Sequence, residues 1–493
     1  MFITILFPGS VMAPSAELLR RVLAQKGRRV ETRMLPSEDA LAGFDLLVRL
    51  EKLVLRRENW PPVDVPDLSD DSLGTGRSIV LDLGQGRSGK LPPGAELVLS
   101  VTCNGQLGLP GMVAAILAGG HAELAVVTRS DGGDRVWASG LTVTSRPLNA
   151  AVSLHELTLR LGDLVAVALR RIEHGEEPVA AEHSVAAASG GLSPFLAFAA
   201  TSLSRRIRDR LDELVRHPYH WSVRWRRSDP EDLVTTRLGW TDAPYKMLPD
   251  DGQRYYADPF LYQHEGRNYL FVEEFPYATG KGILSVSELN SGGGASVPRP
   301  VLEGPVHLSY PQVFKQGGEI WMIPETSGAR TIELYRAVEF PDRWVKEAVL
   351  LSDIDASDAT LVFHGGRFWL FAALHPHGSS CRDMLGIFHA PALQGPWVAH
   401  KLNPALIDAR TARPGGAFFR HEGALMRVAQ DGSRGYGSGL TICRVDRLDP
   451  DHFTQTVAQT LQPRADWRAA GVHTLNCGFG IEAIDTLAKL RKT

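Results

Sequence analysis

Carboxylates recur at the ends of short apolar runs in the second half of this 493-residue chain. The stretch YYADPFLYQHEGRNYLFVEEF begins at Tyr255. It sets Asp258 at the head of one run and Glu273 and Glu274 at the tail of the next, with a glycine turn between. Glu325 closes the run in EIWMIPET, and Asp358 opens the one in DATLVFHGG. Carboxyl groups gathered in one place can move protons and stabilise an oxocarbenium-like centre, the needs of glycosyl transfer and hydrolysis. Arg410 and Arg413 in DARTARPGG suit charge-assisted, bidentate contact with a phosphate. Tyr256 and Tyr310, with Tyr255, offer rings to the apolar face of a pyranose. Asp431 and His473 complete the polar set. Each also has a structural reading. Asp258 can cap a turn before Pro259, the glutamates can pair with Arg254 or Lys281, the arginines can bridge strands, and His473 can be a satisfied core histidine. His375 and His377 have no third ligand near them in sequence. GQGRSG, from Gly84, lacks the Lys-Ser/Thr of a phosphate loop. Neither metal nor cofactor is expected.

The elements that must position these residues are hairpins. DPFLYQHEGRNYLFVEE, YPQVFKQGGEIWMIPET, DATLVFHGGRFWLFAAL and GGAFFRHEGALMRVAQD start at Asp258, Tyr310, Asp358 and Gly415. A period of roughly 50 residues built from short strands predicts propeller blades rather than a sandwich. A fifth blade is expected from AGVHTLNCGFGIEAI near the C-terminus combined with HWSVRWRR at 220, which closes the ring and removes sheet edges. The four starting positions then converge at one mouth of the central channel. Antiparallel pairing brings the ends of the second strands, Glu273–Glu274, Glu325–Thr326 and Gln430–Asp431 among them, to the same rim.

The first part has another texture. FITILFP, RRVETRML, SIVLDLG, ELVLSVTC and HAELAVVTRS read as strands. SAELLRRVLAQKG, GLPGMVAAILAGG and SLHELTLRLGDLVAVALRRIEHG read as helices. This alternation predicts a mainly parallel α/β sheet with helices on its faces. The domains expected are 1–175 (α/β), 176–217 (a linker and a helix) and 218–493 (the propeller). A formal net charge of −3 implies no nucleic-acid partner, and four scattered cysteines argue against a disulfide framework or zinc cluster. No continuous apolar segment predicts a transmembrane helix, and MFITILFPGS reads as a strand, so a cytoplasmic location is expected.

YADPFLY, FVEEFPYATGKG, HLSYPQVF, IPETSGARTIELYRA, DATLVFHGGRFWLF and ARPGGAFFRHEGALMRVAQD resemble the N-terminal domain of glucosamine inositolphosphorylceramide transferases and their bacterial relatives. That domain is similar to the five-bladed propellers of arabinanases, xylosidases, levansucrases and invertases. The resemblance covers roughly 240–480 and implies a base at Asp258 and an orienting, tuning aspartate at Asp358. The acid of those glycosidases, a glutamate opening blade four, has no counterpart in ARTARPGGAFF. Either Glu325 replaces it, or no acid is needed because the leaving group is a phosphate held by Arg410 and Arg413. The resemblance therefore implies a glycosyltransferase of surface-glycan or glycolipid synthesis. Its partners would be a sugar-phosphate or nucleotide-sugar donor and a glycan or lipid-linked acceptor. A glycosidase and a non-catalytic sugar-binding scaffold are the alternatives. The first domain resembles formyltransferases of the methionyl-tRNA type, with Ser100 and Thr102 where that family carries its catalytic Asn and His. It is read as a degenerate, Rossmann-like formyltransferase-type fold.

Overall fold

The computed structural model describes residues 2–9, 12–35, 78–84, 94–119, 121–130, 133–181, 193–215, 219–290, 292–376 and 380–488, with scattered positions between 41 and 51. The glycine loop from Gln85 onward, His377 and positions 182–192 of the expected linker lie outside the described residues. Two compact units divide the chain, Met1–Arg210 and Leu211–Thr493.

The first unit is α/β. Its strands are β1 (Phe2–Pro8), β2 (Arg29–Leu35), β3 (Ser78–Asp82), β4 (Ala95–Cys103), β5 (Gln106–Leu107), β6 (Ala122–Thr128), β7 (Arg135–Thr142) and β8 (Val179–Ala180). The sheet order is β2-β1-β3-β4-β6-β7-β8, with the short β5 beside β4. Strands β1 to β4 pair in parallel, as the β/α alternation predicts, whereas β6, β7 and β8 pair antiparallel. The sheet is therefore mixed. β7 (RVWASGLT) follows β6 through a short turn, which permits only antiparallel pairing, and its buried positions alternate at Ala138, Gly140 and Thr142. Helices α1 (Ala13–Gln25), α2 (Gly108–Ala118) and α3 (Ala150–Glu173) accompany the sheet. The side chain of Asn149 caps α3 by accepting from Val152 N–H at 2.9 Å. Val179–Ala180, read from sequence as linker, pairs with β7 at the sheet edge. Helix α4 (Ser193–Val215) follows. Among the described residues no helix is long and apolar enough to cross a membrane.

The second unit is a five-bladed propeller. Blade one is β11 (Arg254–His264), β12 (Arg267–Pro276), β13 (Ile283–Leu289) and β14 (Arg299–Leu302), after β9 (His220–Arg227) and β10 (Lys246–Met247). Blade two is β15 (Ser309–Gln316), β16 (Glu319–Thr326), β17 (Thr331–Glu339) and β18 (Arg343–Ser352). Blade three is β19 (Ala356–His364), β20 (Arg367–Leu374), β21 (Met384–Ala390) and β22 (Val398–Ala399), with β23 (Leu406–Ile407) also on β21. Blade four is β24 (Phe419–His421), β25 (Ala424–Asp431), β26 (Gly439–Leu448) and β27 (Phe453–Leu461). Blade five joins both ends of the domain: β28 (Leu475–Gly478) and β29 (Ile481–Ala488) pair with β9 and β10 in the order β10-β9-β29-β28.

Apolar clusters fill the gap between each neighbouring pair of blades. Tyr269, Phe271, Met322 and Trp344 lie between one and two, and Trp321, Ile332, Leu361 and Phe368 between two and three. Trp369, Ile387 and Phe453 lie between three and four, Val428, Ile442 and Ile484 between four and five, and Trp225, Val272 and Ile481 between five and one. Blade contact is thus continuous around the ring.

Candidate functional site

The innermost strands of blades one, two and three share one irregularity. Their register with the second strand slips between Ala257 and Phe260, Ser309 and Gln312, and Ser357 and Thr360. The residue inside each bulge, Asp258, Tyr310 or Asp358, takes a left-handed φ of 50, 49 or 55°. This conformation costs a non-glycine residue roughly 1–2 kcal/mol. In two blades the freed backbone N–H is satisfied by a carboxylate on the second strand of the preceding blade. Asp258 N–H donates to Asp485 Oδ2 at 3.0 Å, and Asp358 N–H to Glu325 Oε2 at 3.2 Å. In blade four the equivalent position is Gly415–Gly416. A Cβ on Gly416 would stand 2.0 Å from the Leu475 carbonyl oxygen, so no side chain fits where the other blades place Asp or Tyr.

A cavity of about 380 Å³ opens on the axis, lined by residues drawn from all the blades or their connections. Its volume suits one sugar residue. Tyr219, Trp221, Tyr255, Phe275, Tyr277 and Tyr436 give it an aromatic wall. Asp258, Glu273, His307, Ser309, Glu325, Arg413 and His473 give it a polar floor. The Trp221 and His473 rings stack at 3.9 Å with an interplanar angle of 9°. Tyr255 stacks on Phe275 at 4.8 Å.

Two buried networks hold the floor. In the first, His473 Nδ1–H donates to Asp485 Oδ2 at 2.6 Å while its Nε2 stands 3.7 Å from Asp258 Oδ1. Asp485 Oδ1 accepts from the backbone N–H groups of His473 and Thr474, each at 3.0 Å, and Thr474 Oγ1 donates to Asp258 Oδ1 at 2.8 Å. Burial would lower the His473 pKa, but the charge and hydrogen bond of Asp485, with Asp258 beyond, raise it to about 9. Burial raises the Asp258 carboxyl well above the usual carboxylate range. His473 opposes this, while Asp358, Glu273 and Asp485 add to it. In the second network, Arg413 Nε and Gln430 Nε2 both donate to Asp358 Oδ2 at 2.6 Å, and Arg413 Nη1 reaches Cys381 Sγ at 2.9 Å. The guanidinium also lies over the Tyr436 ring. Burial pushes the Asp358 carboxyl up to about 6, with Arg413 pulling the other way and Glu325 adding to the rise. Arg427, fully buried, donates to the Thr411 and Ala412 carbonyl oxygens and so fixes the turn that presents Arg413.

On blade one, Glu273 Oε1 accepts from His307 Nε2 at 3.2 Å and faces Tyr255 Oη at 3.4 Å. His307 Nδ1 accepts the Gly282 N–H, which assigns the proton to Nε2. Glu325 Oε1 accepts from Ser327 Oγ at 2.8 Å.

Of the residues singled out from sequence, Tyr255, Asp258, Glu273, Glu325, Arg413 and His473 line the cavity, and Asp358 sits behind Arg413. The others have different surroundings. Glu274 points to the opposite side of its strand, where it pairs with Arg254 and accepts from Ser285 Oγ. Tyr256 is packed in the core between blades five and one. Tyr310 is fully buried, with its Oη accepting the Gly416 N–H at 2.7 Å and contacting Thr360 Oγ1. Arg410 lies in the Asp408 turn and pairs with that carboxylate at 3.1 Å. Asp431 accepts from Ser433 within its own turn. His375 bonds Asp355 and Ser357. Sequence reasoning missed Asp485, Trp221, His307 and Tyr436. An aspartate inside an apolar strand (IEAIDTLA) was the one available signal, because an unpaired buried charge is costly.

Comparison with known proteins bears on this unit. Residues 249–478 match the family model described as "Glucosamine inositolphosphorylceramide transferase 1, N-terminal". The motif resemblance holds over that segment. A rice relative (Oryza sativa subsp. japonica) named Glucosamine inositolphosphorylceramide transferase 1 is 33% identical over 229 residues, covering 45% of this chain and 31% of the relative. The Arabidopsis thaliana protein of the same name is 34% identical over 203 residues, covering 40% and 26%. The chain thus spans under a third of the length of these curated relatives. Similar solved structures include Zg3597, a family 117 glycoside hydrolase from Zobellia galactanivorans, at 13% identity and TM-score 0.36, covering 54% of this chain and 90% of that one. Another is the Cellvibrio cellulosa α-L-arabinanase, at 15% and 0.32, covering 47% and 82%.

Proposed function

We propose that the propeller cavity is a carbohydrate-active site that transfers a glycosyl group from a phosphate-linked donor to a lipid-linked or glycan acceptor. The observation that carries this reading is a sugar-sized cavity with a wall of aromatic rings and a floor of buried carboxyl, imidazole and guanidinium groups. The aromatic wall takes the apolar face of the sugar. In the transfer, the bond from C1 to the phosphate oxygen breaks and the phosphate keeps the electron pair. The acceptor hydroxyl oxygen bonds to C1, and its proton passes to a cavity carboxylate, Glu325 or Glu273. His473, held charged by Asp485, faces the developing negative charge beside Asp258, whose carboxyl burial raises above the usual carboxylate range. Arg413 meets the phosphate, with Asp358 fixing its orientation; Arg410, in its own turn, takes no part. The names of the plant relatives support a glycolipid acceptor, and a cytoplasmic location goes with this reading. The N-terminal unit, with Ser100 and Thr102 at the positions discussed above, is read as a formyltransferase-type fold without that chemistry.

A second reading, sugar binding without turnover, is favoured by Asp358, whose Oδ2 is occupied by both Arg413 and Gln430. Purified protein would be tested with nucleotide sugars plus an inositolphosphoryl-ceramide acceptor, with polysaccharides, and for monosaccharide binding by calorimetry. Transfer that falls at least about 100-fold in one of Glu325→Gln and Glu273→Gln, and in Asp258→Asn, supports the transferase. Binding retained with no turnover in any protein supports the second reading. Polysaccharide cleavage without transfer, or no saturable sugar binding, sinks the proposal.

A further inference from the structure

Asp258, Glu273 and Glu325 bring carboxyl groups to the cavity, and their oxygens are not equally available. Both oxygens of Glu325 are engaged. Oε1 accepts from Ser327 Oγ at 2.8 Å, and Oε2 accepts the Asp358 N–H at 3.2 Å. The second bond supports the left-handed backbone of the blade-three bulge, so Glu325 serves the fold. Asp258 Oδ1 accepts from Thr474 Oγ1 at 2.8 Å and stands 3.7 Å from His473 Nε2. Burial disfavours the charged form of Asp258, the form a proton acceptor needs. Glu273 differs from both. Its contacts, with His307 Nε2 at 3.2 Å and Tyr255 Oη at 3.4 Å, fall on Oε1 alone. Among the described residues no donor reaches Oε2, and that oxygen is left to the cavity.

His307 is built in to hold this arrangement. It lies in the connection between β14 and β15. Its Nδ1 accepts the Gly282 N–H at 3.0 Å, and the next residue, Leu308, donates its N–H to the Gly282 carbonyl oxygen at 3.1 Å. A Cβ on Gly282 would stand 2.6 Å from His307 Cε1 and 2.7 Å from the Leu308 carbonyl oxygen, so the close approach of the ring requires glycine. With Nδ1 accepting, Nε2 carries the proton, and it donates to Glu273. The imidazole thus orients the carboxylate without occupying its second oxygen.

We propose that Glu273 Oε2 takes the proton of the acceptor hydroxyl, and that His307 is the positioning residue that holds Glu273 for this step. The assignment rests on the transferase reading above and deepens it by choosing between its two candidate bases. As the acceptor oxygen bonds to C1, its O–H bond breaks and the proton moves to Oε2, while the phosphate leaves with the electron pair of the C1–O bond. A glutamine at 273 keeps an amide oxygen for His307 and Tyr255 but takes no proton.

The test is steady-state transfer by the full chain, with a nucleotide sugar and an inositolphosphoryl-ceramide acceptor, alongside sugar binding by calorimetry. In Glu273→Gln, kcat is expected to fall at least about 100-fold, and at least about tenfold further than in Glu325→Gln, with sugar affinity within about threefold of wild type. His307→Leu, which removes the donor, is expected to lower kcat about tenfold with KM within about threefold, and His307→Gln, which keeps a donor, to recover most of that loss. Circular dichroism identifies any variant that has lost its fold, and the two His307 variants carry the test if Glu273→Gln does not fold. Wild-type transfer with Glu273→Gln within tenfold of it, or with Glu325→Gln the more damaged of the two, overturns the assignment and leaves the transferase reading standing. Equal losses in His307→Leu and His307→Gln, or a change in KM alone, overturn the positioning role. Sugar binding by the wild type with no transfer overturns the transferase reading, and the assignment with it.

Discussion

His473 lies between two carboxylates, and its proton is part of the fold. In the unfolded chain its imidazole titrates near 6.5, and in the folded protein near about 9. A folded pKa above the unfolded one stabilises the native state fully below pH 6.5, and the gain is lost as pH rises through about 9. The difference corresponds to about 3 kcal/mol. Urea denaturation at pH 6.5 and 9.5 is therefore expected to show wild-type protein losing stability with pH and His473→Gln losing much less. Parallel profiles would contradict the dyad with Asp485. The histidine was visible in the sequence, but its partner was not. Asp485 stands twelve residues on, in β29, while His473 lies just before β28, and the pairing of β28 with β29 sets the two against each other.

At the scale of the strand, the bulge decides which side chains see the cavity. Successive residues of a strand face opposite sides, so Glu273 and Glu274 were bound to diverge, as were Tyr255 and Tyr256. Which member of each pair faces the axis depends on register, and one extra residue exchanges the faces. No residue type announces that extra residue here, because Asp258, Tyr310 and Asp358 hold a conformation usually left to glycine. Blade four uses glycine at the same place for a steric reason. Gly416→Ala, with φ +146° and the Leu475 oxygen in the way, is expected to cost more than about 2 kcal/mol. Gly478→Ala in the neighbouring strand, with nothing within 4 Å of the added carbon, is expected to change stability by less than about 1 kcal/mol. Thermal unfolding of the two variants checks the pair, and equal losses would contradict this account of the blade-four glycines.

At the scale of the molecule, the ring is closed by β29, which pairs with β9 from Ile481–Arg227 to Ala488–His220. Deleting Ile481–Ala488 would uncover Trp225 and Val223 and leave β9 as an open edge beside blade one. The expected product is insoluble or lacks a cooperative unfolding transition in circular dichroism. A soluble variant that unfolds cooperatively would show that closure is dispensable. The sequence by itself determined the repeat of hairpins, the number of blades, the use of both domain ends in the fifth, and the α/β texture of the first unit. Those follow from local periodicity and turn residues, which each short segment carries on its own. Only the tertiary structure decided which acids meet. It brought Asp485 to His473 and Arg413 to Asp358, and turned Arg410 and Glu274 away. Those outcomes depend on register, bulges and the approach of strands remote in sequence, and no single segment encodes them.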